Sequence, residues 1–183
     1  MSEADSAVPG GGDAAALPHP LSIGPFRAYF ISRLAGTIAG NGMTIILGWQ
    51  VYNLARQTLS VEDSTFLLGV IGAAQFVPLF LLTPVVGLVA DTLDRRWIVR
   101  STTLLLAVTV ALLGLLTRSG GLTLPILFIA AILIGVARAF AGPAYSALSP
   151  NLVPRAVLPT AIAVSSIAWQ LGSIAGPSVA GAL

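Results

Sequence analysis

The sequence predicts an all-α membrane protein with five transmembrane helices, and three observations carry that fold class. Of the 183 residues, 56% are hydrophobic and only 9% are charged, with a mean hydropathy of +0.92; a soluble domain carries about 25% charged residues. The apolar residues fall into five runs, each near the roughly 20 residues that cross hydrocarbon as a helix. Those runs are continuous rather than alternating and too long for barrel strands, which argues against a membrane β-barrel.

Residues 1–25 (MSEADSAVPGGGDAAALPHPLSIGP) come first, with no hydrophobic period and three acids, Glu3, Asp5 and Asp13. They lack the basic start and apolar run of a signal peptide and read as a flexible cytosolic tail. The bundle then occupies 26–183, with helices expected at about 29–54, 66–90, 97–117, 122–142 and 158–183. The fifth run stops at Ala182 and Leu183 without an Arg, a cap or a polar tail, so the chain reads as truncated.

Charge sets the orientation and excludes several function classes. Nine Arg and no Lys face seven acids, and no acid follows Asp94. The pI near 9.7 therefore reflects Arg beside a membrane rather than a nucleic-acid patch. Arg27, Arg33, Arg95, Arg96, Arg100 and Arg155 belong to one set of helix ends, and Arg56 and Arg118 to the other. The positive-inside rule then puts the N-terminus and the Arg-rich connections in the cytosol, with a bacterial inner membrane as the expected location. Cysteine is absent and His19 in the tail is the only histidine, so no metal site and no cofactor is expected. No His, Cys, Asp or Glu lies inside a run, Asp91 being at a boundary. The convergent acids, bases or ligands of an enzyme are missing, and no catalytic residue is expected.

Residues that are expensive in lipid carry the functional information. Asp91 sits where the second helix should end, a place disfavoured for a carboxylate by the helix dipole, and Arg95 four residues on is its expected partner. Gly87, one turn earlier, would let another helix backbone approach. Arg138 lies in the fourth run, where a guanidinium costs about 2.5–3.5 kcal/mol on insertion scales, unless it snorkels to the interface. In the fifth run Gly172 and Gly176 form a small-residue face for close helix packing, and Pro177 permits a bend. Thr37, Asn41, Thr44, Gly48 and Tyr52 form one helical stripe in the first run, beside a packing stripe of Gly36, Gly40, Met43 and Leu47. Ser166, Gln170, Ser173 and Pro177 form another in the fifth. Asn41, Arg138 and Gln170 are the cavity candidates, with helix–helix hydrogen bonding as the alternative role.

Three of these segments resemble motifs of the major facilitator superfamily. Gly87-Leu-Val-Ala-Asp91-Thr-Leu-Asp-Arg95-Arg96 resembles the superfamily's loop motif Gly-x-Leu-Ala-Asp-Arg-x-Gly-Arg-Arg/Lys, departing at Val89, Thr92 and Asp94. Gly135-Val-Ala-Arg138-Ala-Phe-Ala-Gly142 resembles its fourth-helix motif Arg-x-x-Gln-Gly, with Ala141 in place of Gln. Gly172-Ser-Ile-Ala-Gly176-Pro177-Ser-Val-Ala180-Gly181 resembles the fifth-helix motif of its exporters, with Ala180 in place of a Gly. FRAYFISRLAG and AGPAYSALSPNLVPRAVLPTAIAV have the texture of the siderophore and macrolide exporter branch.

The resemblance implies a secondary transporter: an exporter of small amphipathic compounds, coupled to protons, working by alternating access. Gly87, Asp91, Arg95 and Arg96 would act as a conformational latch, Arg138 would face the central cavity, and Gly172, Gly176, Pro177 and Gly181 would mark the exporter class. The chain would supply most of the N-terminal six-helix bundle, its partners being substrate, protons, the lipid bilayer and a missing C-terminal bundle. The alternatives are a metabolite importer, or a non-transporting membrane partner or remnant of the same fold.

Overall fold

A computed structural model describes residues 18–182, the side chain of Ala90 excepted; the expected tail lies outside the described residues as far as residue 17. Among the described residues, six α-helices follow a short 3-10 turn at Pro20–Ser22: α1 (Gly24–Ala55), α2 (Val61–Leu81), α3 (Thr83–Thr92), α4 (Arg95–Ser119), α5 (Leu124–Leu148) and α6 (Leu158–Ala182). Five segments among the described residues are long and apolar enough to cross a membrane. The chain is therefore a multi-pass, all-α membrane protein.

The expected second helix is two helices, and proline is the reason. Leu82 interrupts the helix between α2 and α3, and Pro84 opens α3. Proline has no N–H to give the carbonyl four residues back, and its ring crowds that carbonyl. Pro78, inside α2, weakens the same stretch. Elsewhere the ends follow local chemistry. Ser60 Oγ accepts the Asp63 amide (3.1 Å) to start α2, with Glu62 and Asp63 in its first turn. Asp94 caps α4 by accepting the Arg96 amide (2.9 Å), and Gly120, at φ 69°, closes α4 in the left-handed conformation.

That cap corrects one expectation. Leu93 is extended (φ −107°, ψ 149°), so Asp91 ends one helix and Arg95 begins another. The spacing of four that would pair them requires an unbroken helix. Arg95 instead donates to the Ala147 carbonyl at the end of α5 (3.2 Å).

α1 packs mainly on α6, and α5 on α2 and α4. Met43, Leu47, Val51, Ile71, Leu127 and Ile134 are buried where α1, α2 and α5 meet. Large apolar side chains such as Trp49, Phe66, Phe80, Leu104, Leu115 and Ile174 are exposed along the outside, a surface suited to lipid rather than water. The start of α1 meets the ends of α5 and α6 through Phe26, Tyr29, Leu148 and Ala161. With Arg95 at Ala147, this gathers the Arg-rich connections at one end of the bundle. At the other end Gln50 of α1 donates to Thr117 of α4 (3.0 Å).

Candidate functional site

The α1–α6 contact is set by glycine. A Cβ on Gly172 would stand 2.6 Å from Thr37 Cβ, and one on Gly176 would stand 2.7 Å from the Ile38 carbonyl oxygen. Facing them, a Cβ on Gly42 would come within 3.0 Å of the Gly176 carbonyl. The two helices touch backbone to backbone, as the small-residue face predicts. Pro177 lies inside α6, which continues to Ala182. A Cβ on Gly181 or on Gly87 would meet nothing within 4 Å among the described residues.

Gly135 does the same for α5 against α2: a Cβ there would fall 2.3 Å from the Gln75 carbonyl oxygen. This close seating brings α5 inward and places Arg138, one turn further on, against α1. Arg138 Nη2 donates to the Gly40 carbonyl, to Thr44 Oγ1 (2.9 Å) and to Asn41 Oδ1 (3.3 Å). All three bonds leave from one nitrogen. Thr44 in turn donates to Oε1 of the buried Gln75 at 3.4 Å. The side chain is thus half-buried and held through Nη2 alone by a backbone carbonyl and neutral polar groups, rather than reaching along its helix for the interface.

Gly40, Asn41 and Arg138 form part of the wall of a cavity of about 470 Å³ between α1, α4, α5 and α6. Arg33, Thr37, Gly40 and Asn41 line it from α1, Thr102 and Leu106 from α4, Arg138, Ala141 and Tyr145 from α5, and Trp169 from α6. Arg33, counted by sequence as a charge at the helix start, sits in this wall. It donates to Tyr29 Oη (2.8 Å) and lies 5.8 Å from the centre of the Tyr145 ring. Tyr29 Oη also bonds Ser165 Oγ (2.9 Å) and donates to the Tyr145 carbonyl (3.0 Å), and Tyr145 Oη meets Ser32 Oγ (3.0 Å). That polar cluster ties α1, α5 and α6 together.

Of the sequence candidates, the fold unites Asn41 and Arg138 and leaves the others apart. Gln170 is exposed on α6, outside the cavity wall. Ser166 and Ser173, from the same stripe, bond carbonyls of their own helix. Asp91, Arg95 and Arg96 are exposed at the Arg-rich end, away from the cavity. Sequence reasoning missed Gln75, Tyr145, Trp169 and the placement of Arg33. Tyr145 had a signal, because it falls seven residues from Arg138, two turns along one helical face.

Comparison with protein families settles the class. The family model described as transmembrane secretion effector matches residues 15–183. The chain belongs to that family. It is therefore a major facilitator superfamily protein, as the three motifs imply, and its family is one of transmembrane secretion effectors. No curated protein and no solved structure gives a significant match.

Proposed function

We propose that this secretion effector exports small amphipathic compounds of drug or siderophore type, driven by the proton gradient, with its N-terminus in the cytosol of a bacterial cell. The observation that carries this reading is Arg138, half-buried and held to α1 on the wall of a cavity lined by both polar and apolar groups. Mid-membrane sites between helices that rock against each other are the usual substrate positions of secondary transporters. Export is supported by the Gly172–Gly176 face, which lies against the α1 backbone within a motif resembling that of exporters. Substrate and lipid are the partners such a transporter requires; a C-terminal bundle would supply the second wall of the path.

Asp91 acts in this reading as a conformational latch rather than a substrate ligand, since it is exposed at the end of α3 beside the Arg-rich connections. The test uses inside-out vesicles from cells producing the protein. Accumulation of either of two amphipathic dyes of opposite charge, the cation rhodamine 6G or the anion fluorescein, that depends on the protein and collapses with a protonophore supports proton-coupled export. Accumulation indifferent to the protonophore refutes the coupling, and dye movement equal to that of control vesicles refutes export of such compounds.

A further inference from the structure

We infer that the cavity is a two-point receptor for an amphipathic organic anion, with Arg33 and Arg138 as its paired cationic contacts. Two guanidiniums line one cavity, and no carboxylate is among the residues lining it. No acid occurs anywhere in α1, α4, α5 or α6, so neither charge is neutralised from the helices that form the walls. Each guanidinium is anchored at one place and open elsewhere. Arg138 commits Nη2 to α1, which leaves its other donors for a ligand. Arg33 commits Nη1 to Tyr29, while its Nε is buried without a hydrogen-bond partner. A guanidinium in low dielectric calls for an anion.

The spacing and the walls define the ligand further. Arg138 meets α1 at Gly40, seven residues beyond Arg33, which is roughly 10 Å of helical rise. A carboxylate, sulfonate or phosphate can engage one guanidinium while a second anionic or acceptor group engages the other. Between them Leu106, Ala141, Tyr145 and Trp169 present apolar and aromatic surface for the body of the molecule. The assignment rests on the transport reading and narrows its substrate class from amphipathic compounds in general to anionic ones.

Two xanthene dyes of similar body and opposite charge provide the test: fluorescein, a dianion, and rhodamine 6G, a cation. Binding is read by fluorescence anisotropy on the full chain in phosphatidylcholine nanodiscs. Fluorescein should bind at least about tenfold more tightly than rhodamine 6G, and Arg33→Gln and Arg138→Gln should each weaken it by about tenfold, the scale of one charge-assisted hydrogen bond. Arg33→Lys should restore part of the loss. Equal affinity for the dyes, or fluorescein binding unchanged in both Gln variants, overturns the anion assignment. Rhodamine 6G binding that is lost in Trp169→Ala, with no fluorescein binding, also overturns it while leaving a cavity for amphipathic compounds in place. Adding phosphatidylglycerol to the nanodiscs separates a dissolved anion from a lipid headgroup. Unchanged fluorescein affinity supports the dissolved ligand, and competitive loss overturns it in favour of lipid.

Discussion

Arg138 reaches α1 through a single nitrogen, and that asymmetry determines what can replace it. Lysine would keep the charge but lose the planar fork, so it cannot hold α1 with one edge and present another to a ligand. Arg138→Lys should therefore transport about tenfold more slowly than the parent, the scale of one lost charge-assisted bond. Initial rates in vesicles at matched protein levels check this, and a rate equal to the parent would mean that charge alone suffices. Asp91→Asn should behave differently, lowering turnover while sparing equilibrium substrate binding; lost binding with normal turnover would contradict the latch. At this scale the sequence reveals Arg138 because a guanidinium in an apolar run is costly wherever it points. Arg33 is harder to read, because proximity to a helix start does not say which way the side chain turns. Gln75 is invisible in the sequence: one amide in an apolar run has no periodic companion to mark it, and its role arises only where Gly135 draws α5 onto α2.

Helices α1 and α6 depend on the absence of side chains at their contact, so single methyl groups should be felt. Gly176→Ala sets a Cβ against the Ile38 carbonyl, and Gly135→Ala sets one against the Gln75 carbonyl. Backbone cannot yield as a side chain can, and each substitution should cost about 1–3 kcal/mol. Gly114→Ala, which has nothing within 4 Å, should be neutral or slightly stabilising, because alanine is the better helix former. Thermal unfolding in one detergent should rank the three; similar melting points for all would refute the close contacts. The glycine spacing in α6 is legible because a period of four marks one helical face. The break at Leu82 is obscured by hydropathy, which stays high across it, although Pro78 and Pro84 together are the signal. The cap at Asp94 hides in the same way. In sequence it is a departure from a loop motif, yet it begins α4 and for that reason separates Asp91 from Arg95.

Five spans are readable from hydropathy alone, because lipid imposes one length and one composition on every helix that crosses it. Their lateral arrangement is not, since it depends on which helix presents glycine to which. The gathering of the Arg-rich connections at one end yields a test of orientation in this cysteine-free chain. With the N-terminus in the cytosol, Ser119→Cys should react with an impermeant thiol reagent from outside intact cells and Thr92→Cys should not; the reverse pattern would invert the topology. The central claim, that Arg138 lies in the substrate path, is tested most directly by proton-driven accumulation of the anionic dye fluorescein in vesicles carrying Arg138→Gln. A drop of about tenfold or more in initial rate, with the variant present in the membrane at the parent's level, is the predicted result. Full activity with unchanged pH dependence would contradict it.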